Sequence, residues 1–228
     1  MKILVTGATG FLGKHVIKYF NVKKLKTTAF NGDLRCQSSF TKGYYDYIIH
    51  IAALVDKKYW RDKQLFLVNV EGTRKIINYY KTSKVIFISS TDITNKPISP
   101  YSQSKLDAEK IVNKDKNNLI IRFPSIFGPG DKHKKIIPLL FDKYLNNGDC
   151  QLNNNDVNKY VFVTDAAKFI LDNIDNIGLE VMEGVPVKNY DLDEMIKSIC
   201  NINSRQILNN KHIDFFKKLK QCEDFYKK

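Results

Sequence analysis

Two periods of apolar spacing alternate along the first half of the chain. Residues 2 to 6, Lys-Ile-Leu-Val-Thr, form a short β-rich run that stops at Gly7-Ala8-Thr9-Gly10-Phe11-Leu12-Gly13. That order predicts a strand, a tight turn and a helix. In a helix from about Phe11 to Phe20, Phe11, Leu12, Val16, Ile17 and Phe20 lie close to one face, with Lys14, Lys18 and Tyr19 left for solvent. This is the pattern of a helix packed on a sheet. Further β-rich runs occupy Thr27 to Phe30, leading into Asn31-Gly32-Asp33-Leu34, and Tyr47 to Ile51, ending in Ala52-Ala53. A helix is predicted from about Asn69 to Lys81, then a strand from Lys84 to Ile88 closed by Ser89-Ser90-Thr91. Pro100-Tyr101 opens a helix to about Asn113, the proline suiting a first turn, and Leu119 to Arg122 read as another strand. Strands and helices alternating in this way predict an α/β fold with a parallel sheet and crossover helices.

Beyond Phe123 the pattern is irregular. Gly128-Pro129-Gly130 marks a loop, helices are predicted near Lys135 to Leu145, Asp165 to Asn173 and Asp191 to Cys200, and a lysine-rich helical tail follows. Neither an internal repeat nor a linker is visible, so the expected division is a portion from residue 1 to about 121 and a smaller, interleaved one from 122 to 228.

Composition narrows the class. A chain of 228 residues that is 43% hydrophobic buries a sizeable core, which excludes disordered, collagenous and disulfide-scaffold classes. No apolar run reaches the roughly 18 residues of a membrane span, and MKILVTG lacks a charged segment before a cleavable apolar stretch. A soluble, cytoplasmic protein without membrane partners is expected. Cys36, Cys150, Cys200 and Cys222 lie far apart, with no C-x-x-C spacing and no nearby His pair, so reduced thiols and no metal site are expected. His50 reads as a strand residue at the sheet edge, His15 lies on the first helix, and His133 and His212 sit in lysine-rich surface. The formal charge of +13 comes mostly from lysine, with arginine only at positions 35, 61, 74, 122 and 205. Readers of nucleic acid favour the planar arginine fork, so nucleic acid is not the expected partner.

A glycine pattern alone also fits ordinary turns. Between a predicted strand and an amphipathic helix it gains a mechanism: Gly7 for the tight turn, Gly10 for close approach of a pyrophosphate, Gly13 for helix–strand packing, with the helix N-terminus facing the anion. This predicts a Rossmann-type doubly wound sheet that binds a dinucleotide through residues 1–121. Tyr101 and Lys105 are four apart and share a helix face. Such a pair alone is commonly a surface contact. Below a glycine turn and a Ser-Thr strand end it reads as a site in which an ammonium lowers the phenol's pKa and a hydroxyl at Thr91, or at Ser89 or Ser90, binds the reacting oxygen.

The G-x-x-G-x-x-G spacing resembles the short-chain dehydrogenase/reductase superfamily, and later segments agree in order. Asp46 to Ala53 (DYIIHIAA) resembles the D-x-V-x-H-L-A-A strand, Asn69 to Thr73 (NVEGT) the N-V-x-G-T helix start of the extended branch, and Tyr101 to Lys105 (YSQSK) matches Y-x-x-S-K. Arg122 to Asp131 (RFPSIFGPGD) and Val163 to Ala167 (VTDAA) are similar to two further motifs, so the resemblance covers residues 1 to about 170. It implies Thr91, Tyr101 and Lys105 as catalytic residues, Thr91 aligning best with the family's hydroxyl. It implies cofactor contacts from Gly7, Thr9, Gly10, Phe11, Leu12, Gly13, Asn31, Asp33, Leu34, Ile51, Ala52, Ala53, Asn69, Tyr101, Lys105, Phe123, Pro124 and Ser125.

Gly13 and Gly32-Asp33-Leu34 are only about twenty residues apart, shorter than in larger members, and Ser90-Thr91-Asp92 resembles the S-T-D of dTDP-4-dehydrorhamnose reductases. The activity implied is NAD(P)-dependent 4-keto reduction, or epimerisation, of a nucleotide-activated sugar. Dehydration ranks lower, because Ile93 follows Asp92 where a dehydratase has glutamate. Alternatives are a 3β-hydroxysteroid- or flavonol-type ketone reductase, and a vestigial dinucleotide-sensing or RNA-binding protein on the same fold. Substrate contacts are expected from Thr91, Ser125, Lys132 and Lys135, with Lys134 on the same cationic rim unless these lysines are only solvated surface. Tyr59 and Trp60 either line the cleft or form an ordinary buried pair. Asn31 is neutral where an acid selects NAD, so NADP is favoured over NAD, with Lys14 or Arg35 as phosphate partners, unless Asp33 reaches the ribose. A homodimer through the helices at 69–81 and 101–113 is the expected assembly.

Overall fold

A computed structural model describes residues 1–132, 135–200 and 213–227. The strands are β1 (Lys2–Thr6), β2 (Lys26–Ala29), β3 (Tyr47–His50), β4 (Lys84–Ser90), β5 (Leu119–Phe123), β6 (Ser125–Phe127), β7 (Val157–Phe162), β8 (Gly178–Val181) and β9 (Val185–Lys188). The helices are α1 (Phe11–Val22), α2 (Lys63–Phe66), α3 (Gly72–Tyr79), α4 (Pro100–Val112), α5 (Ile136–Asn146), α6 (Val163–Asp172), α7 (Asn189–Ile199) and α8 (Ile213–Tyr226). They form two compact units, one of Met1–Pro124 with Thr164–Met182 and the other of Ser125–Val163 with Glu183–Lys228.

The first unit holds a six-stranded parallel sheet in the order β2-β1-β3-β4-β5-β8, with the strand order reversing between β1 and β3. β2 is the outer strand on its side, in keeping with the short span from Gly13 to Asp33. Alternation sends Leu4, Ile48, Val85, Phe87 and Ile120 to one face, where they pack with Ile76 and Tyr80 or with Ala108 and Val112. Fully burying an aliphatic or phenyl side chain of this kind contributes about 1.5–3 kcal/mol, so this face fixes α3 and α4 firmly on the strands. Ile111 and Val112 are buried and belong to the unit's core.

Helix α1 starts at the expected residue and runs two residues past Phe20, ending where Lys24 turns left-handed at φ 60° and Leu25 donates to the Phe20 carbonyl. Helix α4 is capped by Ser99, whose Oγ accepts from the Ser102 amide, with Pro100 in the first turn. The helix expected from Asn69 instead begins at Lys63, because Asp62 caps it by accepting from the Gln64 amide. It widens into a π-helical turn at Leu67–Glu71 before α3.

The second unit carries a small sheet, β6-β7-β9, with β6 parallel and β9 antiparallel to β7. Its core gathers Phe127, Leu140, Phe141, Phe162, Leu192 and Leu219.

Candidate functional site

The turn after β1 is built by backbone contact. Gly7 has φ +67°, and a Cβ there would lie 2.8 Å from the Ala52 amide nitrogen. A Cβ on Gly13 would lie 2.1 Å from the Gly7 carbonyl oxygen. The Gly10 amide closes the turn on that same carbonyl at 2.9 Å. Gly10 is also the N-cap of α1, in an extended conformation with no side-chain cap. The helix therefore starts with amide donors that no capping side chain takes, beside exposed Thr9 and Gly10. A concave backbone that side chains would fill, at the positive end of a twelve-residue helix, fits a pyrophosphate.

Beyond β2, Asn31 and Asp33 are exposed and Leu34 is buried. Asp33 does not stand free. Arg35 Nε donates to its two carboxylate oxygens at 3.0 and 3.1 Å, and Nη2 donates at 2.7 Å. These bonds hold the Asp33 carboxyl down at about 2. Arg35 Nη1 donates to Gln64 Oε1 at 2.9 Å. Arg35, expected as a free cation for a phosphate, is thus paired within its own loop.

At the end of β3 the structure corrects the edge placement of His50, which is fully buried on an interior strand. Its Nε2 lies 2.9 Å from Thr73 Oγ1, which donates its own proton to the Asn69 carbonyl at 2.7 Å. Nε2 is therefore the protonated nitrogen, and Nδ1 accepts from Thr6 Oγ1 at 2.7 Å. Thr6 Oγ1 in turn accepts from the Ile51 and Ala52 amides at 3.2 Å. Burial first, then the charge of Lys105, pull His50 down to about 3, so it stays neutral. The relay fixes Ile51 and Ala52 beside the glycine turn.

Asn69 is buried, and its amide is spent on positioning. Oδ1 accepts from the Leu54 amide at 2.8 Å, while Nδ2 donates to the Leu54 carbonyl at 3.0 Å and to Ser104 Oγ at 2.9 Å. It thereby ties the stretch after β3 to α4 instead of facing the open edge. Nothing local in the sequence signals these bonds, whose partners are 15 and 35 residues away.

At the end of β4, Ser90 Oγ caps a short 3-10 turn over Thr91–Thr94 by accepting from the Asp92 amide, and this turn packs on α4. Ser90 is thus occupied, and Ser89 is buried with its Oγ unpartnered. Thr91 is half-buried at the strand end. Tyr101 is also half-buried, and its phenol is pushed up, first by burial and then by the Asp92 carboxylate. Lys105 is 2% exposed, with Nζ 4.0 Å from the centre of the Phe87 ring. Burial lowers it to about 7 against an opposing pull from Glu109. The phenol is thus moved up and not down, burial and the Asp92 charge acting in the same direction, while for Lys105 burial outweighs the opposing pull of Glu109.

Phe123 and Pro124 close β5 at the same carboxyl edge as Gly7, Ala52 and Thr91. Ser125 opens β6 in the second unit, where it lines a cavity of about 190 Å³ with Phe127, Asp131, Lys135 and Tyr160. Lys132 is exposed, while His133, Lys134 and His212 lie outside the described residues. Tyr59 and Trp60 are half-buried, each with a lysine ammonium over its ring, Lys58 and Lys57 respectively. Among the described residues no cluster of three or more His, Cys, Asp or Glu side chains forms a metal site, and no helix is long and apolar enough to cross a membrane.

A parallel sheet whose order reverses beside a glycine turn defines a Rossmann-type fold. The chain belongs to the NAD dependent epimerase/dehydratase family, whose pattern it matches over residues 3–179. A GDP-6-deoxy-D-talose 4-dehydrogenase from Aggregatibacter actinomycetemcomitans is 26% identical, across 91% of this chain and 82% of that protein. Other curated relatives are longer, and the chain spans less than two thirds of their length. Two solved structures share the fold at 17% identity. The Thermus thermophilus UDP-glucose 4-epimerase in complex with NAD has a TM-score of 0.81, with 99% of both chains covered. RMD from Pseudomonas aeruginosa complexed with NADPH has a TM-score of 0.82, covering 99% of this chain and 97% of that one.

Proposed function

We propose that this protein reduces a ketone, at C4 of a nucleotide-activated sugar, with a nicotinamide dinucleotide as hydride source. The observation that carries the reading is the packing of the Thr91 turn and of α4, with Tyr101 and Lys105 on it, at the carboxyl edge of β4 in a sheet whose β1 ends in the glycine turn. Membership in the NAD dependent epimerase/dehydratase family supports the cofactor, and relatives named for nucleotide sugars support the substrate class. The dinucleotide would be held by the Gly7–Gly13 turn, the loop at Asn31–Leu34, the strand end at Ile51–Ala53 and Lys105. When bound in reduced form it supplies hydride to the carbonyl carbon. Thr91 Oγ1 donates a hydrogen bond to the carbonyl oxygen. Tyr101 Oη, kept protonated by burial, delivers the proton that turns this oxygen into a hydroxyl, and Lys105 when charged stabilises the phenolate left behind. A panel of nucleotide-4-ketosugars with NADH and NADPH tests this: stoichiometric loss of reduced nicotinamide supports reduction, and C4 inversion without net loss identifies epimerisation instead.

Cofactor choice follows from the loop after β2. Asn31 offers no carboxylate to repel a 2′-phosphate, and Asp33 is held by Arg35. NADPH is expected to bind at least as tightly as NADH, and Asn31→Asp to shift preference toward NADH. Kd values for both on both proteins check this, and a wild type preferring NADH tenfold, about 1.4 kcal/mol, overturns it.

The cavity in the second unit, about 190 Å³, is below the roughly 300 Å³ of small drug-binding sites and has the volume for a phosphate-bearing fragment. Lys135 on its wall supplies a cation for phosphate. Lys135→Glu is expected to raise KM for the sugar nucleotide several-fold and leave the dinucleotide Kd unchanged. An unchanged KM removes Lys135 from the site.

A further inference from the structure

Lys105 lies one helical turn before Glu109, the spacing at which a lysine and a glutamate on one helix commonly pair. They do not pair here. Arg122 Nε donates to Glu109 Oε1 at 2.9 Å and Nη2 to Oε2 at 2.6 Å, a bidentate clamp that occupies both carboxylate oxygens. The clamp is well shielded, the Glu109 side chain being 7% exposed and that of Arg122 22%. Lys105 rests instead on the Phe87 ring, and among the described residues no carboxylate makes an ion pair with it. Strand register explains how Arg122 arrives. Arg122 pairs with Ser89 on β4, two residues beyond Phe87, so all three project to the face covered by α4.

We propose that Arg122 is a positioning residue for Lys105: by occupying both oxygens of Glu109 it keeps that carboxylate off the lysine, leaving Nζ free to serve Tyr101 and the dinucleotide. This rests on the reading of Lys105 given above and adds the device that keeps it available. Among the described residues the titratable groups around Lys105 are Tyr101 and Glu109 from its own helix, neutral His50 from β3, Arg122 paired with Glu109 from β5, and Asp92 near Tyr101. Of these, Glu109 is the one that both carries a negative charge and lies one turn away. Released from arginine, it would draw the ammonium, favour its charged form and hold it away from the tyrosine.

The test is titration of the Lys105 side chain itself by ¹³Cε NMR on the full-length chain, the resonance being identified by its loss in Lys105→Met. Arg122→Met is expected to raise the Lys105 titration midpoint by about one unit or more, as a freed carboxylate at close range does. Glu109→Gln is expected to lower it, and Arg122→Met/Glu109→Gln to bring it back to the wild-type side. Arg122→Lys, which keeps a cation at the position, is expected to recover part of the shift. A pair that only braces the fold would lower the melting temperature in both single variants without moving the lysine in opposite directions. Equal midpoints, or shifts of the same sign in Arg122→Met and Glu109→Gln, overturn the proposal. Should Arg122→Met fail to fold, an unmoved or raised midpoint in Glu109→Gln does the same. The readout involves no substrate, so its failure is distinct from absence of turnover on ketosugars.

Discussion

Tyr101→Phe is expected to lower turnover by about 10²-fold or more, the usual contribution of a positioned proton donor, while dinucleotide affinity and melting temperature remain near wild type. The phenyl ring keeps its half-buried volume, and only the hydroxyl that would deliver the proton is lost. Lys105→Met is expected to be as damaging to turnover with a distinct signature in stability. The lysine falls from 10.5 to about 7 on burial. Between those values the unfolded chain holds the proton and the folded chain does not. Folding therefore carries the full cost of this residue below about pH 7 and is progressively relieved as pH rises toward 10.5. Methionine removes that dependence, so the stability gained by Lys105→Met should be largest below neutrality and shrink as pH rises. Single-turnover rates and melting temperatures across that pH range check both halves. A Tyr101→Phe enzyme with wild-type turnover would remove the tyrosine from the mechanism.

What the sequence discloses and what it conceals divide by distance along the chain. Gly7, Gly10 and Gly13 act on one another within seven residues, and Ser99-Pro100 caps its own helix, so turn and helix are legible from local pattern. The strands of the second unit are not. β6 has three residues, and β9 is Val-Pro-Val-Lys with only Val187 buried, so neither shows a usable period. The return of Thr164–Met182 to the first unit leaves no mark either, because β8 is largely exposed on its sheet edge. In the candidate site, Tyr101, Lys105 and Thr91 are visible as residue types at a spacing, while the contacts between distant segments around them are not. His50 meets Thr6 across 44 residues and Thr73 across 23, and Glu109 meets Arg122 across 13. Only the strand register brings these side chains to one face. The Asp33–Arg35 pair is local, yet each residue taken alone invites a role toward the cofactor that the other already occupies.

Gly13→Ala is expected to damage both folding and dinucleotide binding, more than the same change at Gly10. At Gly13 the new Cβ would meet the Gly7 carbonyl oxygen at 2.1 Å, the Gly7 carbonyl carbon at 2.8 Å and Ala8 Cα at 2.9 Å. All three are backbone, so no rotamer change relieves them, and α1 must back away from the end of β1. Leu12, Val16 and Phe20 are buried on that helix, so its displacement disturbs their packing, a cost of about 1–3 kcal/mol or more for overpacking. For a chain of this size that corresponds to a fall of several degrees in melting temperature. The same shift moves the first-turn amides of α1 relative to the Gly7 carbonyl on which Gly10 closes, so the pyrophosphate cradle loses its shape even in molecules that remain folded. At Gly10 the added Cβ would lie 3.1 Å from a single atom, the Gly7 oxygen, and an adjustment of a few tenths of an ångström accommodates it. The expected order of loss in NADPH affinity and in melting temperature is therefore Gly13→Ala well ahead of Gly10→Ala. A Gly13→Ala protein that melted with wild type and kept its NADPH Kd would show that α1 does not rest on the turn as described.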